Sequence, residues 1–118
     1  MGAIKGQRSV EIDAPIERVF EIAADVPGAV EWQGSLQSVD VVSTDDQGRA
    51  VEVDTVNHTA VKSVKGRMRF SYDEPTAIHW KQTKGDTKAV EGSWAFEDLG
   101  DGRTRATYSL AVDPGRML

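Results

Sequence analysis

The sequence contains no cysteine. This absence excludes disulfide frameworks, thiol nucleophiles and thiolate metal sites, and it is compatible with a reducing compartment. The sequence also contains no apolar run near the roughly 20 residues that a membrane-spanning helix requires, and no apolar core of signal-peptide length follows Met1. We therefore predict a cytoplasmic protein without a membrane span.

Positive charge is in deficit, because 14 lysines and arginines stand against 19 aspartates and glutamates and give a net charge of −5. Such a chain is repelled by nucleic-acid phosphates and by anionic membrane surfaces unless its basic residues cluster. Arg67 and Arg69 lie near Lys62 and Lys65, but alternate positions of one strand are typical of the solvated face of a sheet. The sequence therefore predicts no nucleic-acid partner.

Recognisable catalytic motifs are also missing. The sequence has no G-x-S-x-G elbow, no phosphate-binding loop and no G-x-G-x-x-G fingerprint. Its two histidines, His58 and His79, are far apart in the chain, and neither belongs to a cluster with metal-ligand spacing. Either imidazole can in principle act as a general base, but exposed positions on a sheet explain both more simply. We expect no catalytic residue, no metal site and no cofactor.

The length of 118 residues is sufficient for a single domain over residues 1–118. An alternating stretch at 9–13 is followed by Pro15, which fixes a helical φ at the start of a helix. Apolar residues then recur at helical spacing at Ile16, Val19, Phe20 and Ala23. The sequence predicts a second short helix through Ala29, Val30 and Trp32.

Six further strands are predicted, at 36–43, 49–56, 64–72, 77–83, 89–97 and 103–112. Turn signals rich in glycine, aspartate and proline separate them, among them Asp45-Asp-Gln-Gly48 and Gly100-Asp-Gly102. Residues 57–63 give no clear signal. A strand, two short helices and about six strands joined by tight reversals indicate an α+β fold with a mainly antiparallel sheet.

Side-chain alternation places large apolar residues on one face of this sheet. In the strand at 64–72, Met68, Phe70 and Tyr72 lie opposite Arg67 and Arg69. The strands that follow repeat the pattern with Ile78, Trp80, Trp94, Phe96, Tyr108 and Leu110. Since alternate positions of a strand point to opposite faces, at least four strands contribute to one apolar surface.

Several motifs carry a family resemblance. The segment Val10-Glu-Ile-Asp-Ala-Pro-Ile-Glu-Arg-Val-Phe is followed by Glu31-Trp32, Gly92-Ser-Trp-Ala-Phe and Gly100-Asp-Gly-Arg-Thr-Arg-Ala-Thr-Tyr. In these motifs the chain resembles, over nearly its whole length, the START-like superfamily of polyketide cyclases/dehydrases and coenzyme Q-binding proteins. The resemblance implies a helix-grip fold, in which a curved antiparallel sheet wraps around a long C-terminal helix and a hydrophobic cavity lies between them.

The end of the chain departs from that family pattern. Only Arg116, Met117 and Leu118 follow Gly115, where the resemblance implies a long helix. The sequence fits a truncated chain as well as a naturally shortened one. In both cases we expect the apolar face of the sheet to be open, and we predict a homo-oligomer in which chains cover one another's open faces.

The residues expected to line the cavity and bind its ligand are the large inward-facing side chains: Trp32, Met68, Phe70, Tyr72, Trp80, Trp94, Phe96 and Tyr108. For any single one of them, a place in the core is an equally good explanation. Tyr72 and Tyr108 combine an apolar ring with a hydroxyl that can orient a carbonyl or quinone oxygen.

Three functions fit these observations. Abundant apolar side chains and scarce catalytic groups favour binding or transport of a small hydrophobic molecule, such as a lipid, a quinone or a polyketide. A polyketide cyclase or aromatase would need an inward-facing acid/base pair near the ligand. A structural or interaction domain would have an occluded cavity that takes no ligand. The sequence favours the first function and leaves the others open.

Overall fold

A computed structural model describes residues 4–33, 36–58, 62–113 and 115. In chain order its elements are β1 (Ile4–Ile12), α1 (Ile16–Ala24), a 3-10 helix (Val26–Glu31), β2 (Leu36–Thr44), β3 (Ala50–His58), β4 (Ser63–Asp73), β5 (Ala77–Gly85), β6 (Ala89–Gly100) and β7 (Arg103–Asp113). The strands form one curved antiparallel sheet in the order β1-β7-β6-β5-β4-β3-β2. This arrangement confirms the predicted α+β helix-grip sheet with two short N-terminal helices.

The two edges of the sheet are the first two strands of the chain. Strand β1 pairs with the last strand, so that Ile4 lies opposite Val112 and Ile12 lies opposite Thr104. Every strand from β3 to β7 pairs with the strand that precedes it. Because α1 contacts β5, β6 and β7 while the 3-10 helix contacts β2, these two segments carry the chain from one edge to the other across the concave face.

Helix α1 covers part of the concave face. The Pro15 carbonyl accepts hydrogen bonds from the N–H groups of Arg18 and Val19, and these bonds form the first turn. The buried side of the helix consists of Ile16, Val19, Phe20 and Ala24. Phe20 is fully buried and meets the ring of Phe96 on β6 edge-on, with the ring centroids 6.1 Å apart. The predicted amphipathic helix is therefore confirmed, and its apolar side faces the sheet.

A buried hydrogen bond fixes the connection between β1 and α1. Thr104 on β7 has no exposed surface, and its Oγ1 donates to the Ala14 carbonyl at 2.8 Å. An unpaired buried carbonyl is costly, so this bond ties the start of α1 to the last strand. On the other side of the helices, Val26 packs against Ala50 and Val53 in a second, smaller core.

The convex face of the sheet carries charged side chains in cross-strand pairs. Asp54 on β3 accepts a hydrogen bond from Nε of Arg67 on β4 at 2.7 Å, and Glu52 lies 3.6 Å from Arg69. The Arg67 guanidinium holds the pKa of Asp54 below its usual range. These contacts confirm that Arg67 and Arg69 share the solvated face.

Several strand boundaries differ from the sequence prediction, most of all the start of β1; β6, for example, ends at Gly100 instead of residue 97. Strand β1 begins at Ile4 instead of residue 9, because pairing with β7 extends along its whole length even where its own alternation is weak. In the unassigned stretch at 57–63, β3 extends to His58 and β4 begins at Ser63, while residues 59–61 lie outside the described residues.

Beyond β7, the described residues comprise Gly115 alone. Residues 116–118, where the sequence departs from the family pattern, lie outside them. Within the same described ranges, no helix has the length and apolar character needed to cross a membrane.

Candidate ligand-binding cavity

A cavity of about 370 Å³ lies on the concave face, between the 3-10 helix and the sheet. Its volume is within the range of roughly 300–1,000 Å³ that is usual for sites that bind small molecules. Strands β2 to β7 all contribute to its lining, which is mainly apolar. The cavity thus occupies the part of the concave face that α1 leaves uncovered.

Six of the eight residues predicted to bind a ligand line this cavity: Trp32, Met68, Phe70, Trp80, Trp94 and Tyr108. Alternation along the strands brings the last five together from β4, β5, β6 and β7. Trp32 comes from the residue after the 3-10 helix and reaches the ring of Trp94, with centroids 6.0 Å apart. That these six residues bind a ligand stays a prediction.

Three neighbouring rings of the lining have ring planes of similar inclination, and we call them the aromatic floor: Phe70, Trp80 and Tyr108. The Phe70 and Trp80 rings are inclined by 29° with centroids 5.7 Å apart, and those of Trp80 and Tyr108 by 35° at 5.6 Å. Trp94 rises beside the floor, since its ring stands at 60° to that of Tyr108. A ligand in the cavity therefore meets three neighbouring rings of similar inclination and a fourth ring at a steep angle to Tyr108.

Glycine at position 92 makes the position of Trp80 possible. A Cβ atom at Gly92 would overlap the indole of Trp80, and it would lie at nearly equal distances from Cε2, Cζ2 and Nε1. The face of the indole, not its edge, consequently lies over the glycine. The sequence motif Gly92-Ser-Trp94 therefore supplies both the space for one tryptophan and the next ring of the cavity.

Tyr72 and Phe96, the other two predicted residues, are not among the cavity lining. Phe96 is buried beneath Phe20 of α1. The Tyr72 hydroxyl donates to the Ala50 carbonyl at 2.6 Å, which occupies the group that was expected to orient a ligand oxygen. Both residues share the predicted face of the sheet, but α1 and its neighbours cover that end of it.

Tyr108 brings a hydroxyl group to the cavity lining. In the described part of the chain, this hydroxyl has no hydrogen-bond partner. Burial raises the pKa of Tyr108, so the phenol keeps its proton at neutral pH. The group is therefore a hydrogen-bond donor on the surface of an apolar cavity.

Polar side chains at the far end of the cavity were missed by the sequence analysis. Gln82 donates from Nε2 to the Thr87 carbonyl at 2.8 Å and accepts from Thr87 Oγ1 at 3.0 Å. Thr55 Oγ1 donates to the Gly66 carbonyl at 3.4 Å. Gln82 is on β5 at an alternate position with Ile78 and Trp80, so it points to the same face. Strand alternation would have placed it in the cavity if polar residues had been considered together with apolar ones.

The two histidines occupy different faces. His58 lines the cavity at its edge, and its Nδ1 lies 3.3 Å from Gln37 Oε1 and 3.4 Å from Ser63 Oγ. His79 lies on the convex face, 3.8 Å from a carboxylate oxygen of Asp73. Both are exposed as expected, but the position of His58 at the cavity was not foreseen. Across the described ranges, no three His, Asp or Glu side chains are grouped to hold a metal ion.

Comparison with protein families gave a match over nearly the whole chain, whereas comparison with curated sequences gave none. The family model described as polyketide cyclase/dehydrase and lipid transport matches residues 3–118. A comparison with curated protein sequences gave no match.

Solved structures with the same fold include a START superfamily protein from Mycobacterium smegmatis, at 18% identity and a TM-score of 0.87 over 99% of this chain and 81% of that one. A protein from Thermus thermophilus is 22% identical, with a TM-score of 0.86 over 98% of this chain and 77% of the other. The Zhui aromatase/cyclase from Streptomyces sp. R1128 is 18% identical, with a TM-score of 0.84 over 98% and 71%. At these identities the structures support the fold alone.

Proposed function

The chain belongs to the polyketide cyclase/dehydrase and lipid transport family, and from this premise we propose that it binds a small hydrophobic molecule in the cavity on its concave face. The aromatic floor is the observation that carries the proposal. Phe70, Trp80 and Tyr108 are only half-buried, whereas core rings such as Phe20 are fully buried. Covering apolar surface that is in contact with water stabilises a complex by roughly 25 cal/mol per Å².

In this proposal the ligand-binding residues are those that line the cavity, led by the aromatic floor with Trp94 and Trp32. No cofactor or metal is part of it, and the protein acts as a carrier or receptor in the cytoplasm. The scarcity of titratable groups in the lining supports binding without chemistry, because the lining contains apolar and neutral polar side chains for the most part.

The proposal can be tested by identifying what copurifies with the protein. We expect organic extraction and mass spectrometry to recover a hydrophobic compound, and fatty acids, quinones or aromatic polyketides to raise the melting temperature. Leu110→Trp should abolish both results because it fills the cavity, while Lys81→Trp on the exposed convex face should leave them unchanged. No recovered compound and no thermal shift across all three classes would reject the proposal and favour a structural or interaction domain.

A polyketide cyclase or dehydrase is the second candidate. The observation in its favour is that His58, which can accept a proton, and Tyr108, which can donate one, line the same cavity. An enzyme of this class would convert a linear poly-β-ketone to a cyclic product with near-ultraviolet absorption. His58→Gln should then slow the conversion, while His79→Gln on the convex face should not.

We also propose that the protein self-associates through the concave side. Trp32 lines the cavity, and Val30 lies two residues before it in the 3-10 helix; these large apolar side chains are 44% and 39% exposed. Apolar patches of this kind commonly mark interaction surfaces. Sedimentation analysis at micromolar concentration should show a dimer or larger species, and a monomer free of bound lipid or detergent would contradict the proposal.

A further inference from the structure

We infer that the cavity selects a planar, unsaturated ring system with one hydrogen-bond acceptor over an acyl chain or a saturated ring of similar size. The inference rests on the proposed function, because it names the class of molecule that the same cavity binds. It follows from the orientation of Trp80, from the inclination of the neighbouring rings and from the Tyr108 hydroxyl, which has no hydrogen-bond partner among the described residues.

The indole of Trp80 lies along the sheet instead of standing up from it. Trp80 is on β5 and Tyr108 is on β7, with β6 between them. Neighbouring strands are about 4.8 Å apart, so β5 and β7 are separated by roughly twice that distance. The two ring centroids are nevertheless only 5.6 Å apart. Trp80 must therefore extend across β6, and the missing side chain of Gly92 gives it the space to do so.

This orientation turns one face of the indole to the backbone and leaves the other face to the cavity. Phe70 and Tyr108, on either side, are inclined to Trp80 by no more than 35°. The three rings of the floor thus line the cavity with ring planes of similar inclination. A planar ring system can lie face to face against rings of this arrangement, while a puckered ring or a flexible chain can contact them only through a few hydrogens.

The acceptor is inferred from the polar groups beside the floor. Gln82 is already bonded through both atoms of its carboxamide to Thr87, and Thr55 is bonded to the Gly66 carbonyl. The Tyr108 hydroxyl has no partner among the described residues, and burial keeps it protonated. A carbonyl or ether oxygen at the rim of a stacked ring would accept its hydrogen bond.

Isothermal titration calorimetry with four probes tests this inference on the unmodified protein. Fluorenone is planar and carries one carbonyl, fluorene is planar without it, perhydrofluorene is its saturated counterpart, and dodecan-1-ol represents an acyl chain. We expect affinity to fall in that order. Fluorene should bind roughly tenfold more tightly than perhydrofluorene. This factor corresponds to the upper end of the free energy that aromatic stacking adds to the burial of apolar area.

Two variants assign the preference to named side chains. Trp80→Leu keeps an apolar side chain but removes the flat face, so it should reduce the ratio of fluorene to perhydrofluorene affinity toward one. Tyr108→Phe should weaken fluorenone about tenfold more than fluorene, as expected for one lost hydrogen bond. Val42→Leu, on the exposed side of the edge strand β2, is the matched control. The probe series on the unmodified protein decides the matter even where a variant fails to fold.

The outcomes separate this inference from the proposed function. Equal or tighter binding of perhydrofluorene or dodecan-1-ol would overturn the preference for planar rings and leave hydrophobic binding intact. Equal binding of fluorenone and fluorene would overturn the acceptor. Failure of all four probes to bind, with thermal shifts absent for every other hydrophobic class, would overturn both proposals.

Discussion

The two ends of the concave face have the same strand pattern and opposite environments. At the covered end, Phe20 of α1 lies on Phe96 and Ala106, and none of the three is more than 6% exposed. At the open end, the aromatic floor is half-buried and lines a cavity of about 370 Å³. Alternation along β6 and β7 supplies apolar residues to both ends. The two ends differ because α1 packs on only one of them. The alternation of residues along a strand therefore determines which face a side chain is on, but not whether another element covers it.

The side chains at the two ends should also contribute differently to stability and to ligand binding. Side chains at the covered end make contacts that exist in every folded molecule, and their loss leaves a cavity. Side chains at the open end already border a cavity, so truncating one removes fewer contacts. We therefore expect substitutions at the covered end to change the free energy of unfolding and substitutions at the open end to change affinity.

The largest effect should come from Phe20→Ala at the covered end. Removing a fully buried phenylalanine should lower the free energy of unfolding by about 3–5 kcal/mol, measured by urea denaturation. Leu110→Ala at the open end should cost about 1 kcal/mol or less, because this side chain is only half-buried. Ile22→Ala on the exposed side of α1 is the control. Equal losses at the two ends would contradict the comparison.

A smaller loss is expected from Thr104→Val, which keeps the shape of a buried side chain and removes its bond to the Ala14 carbonyl. The unpaired carbonyl should lower the free energy of unfolding by about 1–3 kcal/mol. Thr83→Val is a matched control, since Thr83 is exposed on β5. If the two variants unfold at the same urea concentration, the hydrogen bond between Thr104 and Ala14 does not contribute to the free energy of unfolding.

Tyr72→Phe should cost about 1 kcal/mol at neutral pH through the lost bond to Ala50. It should also change the response to alkali. Burial, assisted by the Asp45 carboxylate and opposed by Arg49, raises the pKa of Tyr72 to about 12. An unfolded tyrosine titrates near pH 10, so the folded state holds the extra proton and stability falls as pH rises from about 10 to about 12.

The unfolding midpoint of Tyr72→Phe should therefore decline less steeply over that pH range than the midpoint of the unmodified protein. Some decline will remain, because burial raises the pKa of Tyr108 in the same direction. Identical slopes for the two proteins would show that Tyr72 is not shielded from water at the covered end.

The smallest effect should come from Asp54→Asn on the convex face, away from both ends. Arg67 lowers the pKa of Asp54, so the stabilisation is present above the unfolded value near 3.8 and is lost as pH falls through the lower folded value. The variant should therefore lose part of the acid dependence of the unfolding midpoint, and Asp46→Asn, in an exposed turn, should not. A loss comparable with that of Phe20→Ala would contradict the assignment of this pair to the solvated face.

The sequence predicted the shared face of the sheet because strand parity is a local property. Met68, Phe70, Trp80 and Trp94 needed only the two-residue period of an extended chain to be placed together. The amphipathic side of α1 followed in the same way from helical spacing. Both predictions depend on backbone geometry alone, which explains why the structure confirms them.

The division of that face into two ends could not be predicted in the same way. Phe96 and Trp94 are separated by two positions on one strand, yet one lies under α1 and the other borders the cavity. Where α1 crosses the sheet depends on tertiary contacts such as that of Phe20, which local periodicity does not contain. The contact between Gly92 and Trp80 was also hidden, because it joins neighbouring strands whose register the sequence does not reveal.

The chain has three tryptophans, and Trp32, Trp80 and Trp94 all line the cavity. Its tryptophan fluorescence therefore originates entirely at the open end, with no indole elsewhere to dilute the signal. Emission wavelength and quenching should respond directly to a molecule that displaces water from the rings, without an attached dye. By the same reasoning, a structural change confined to the charged convex face of the sheet should leave the tryptophan emission almost unchanged.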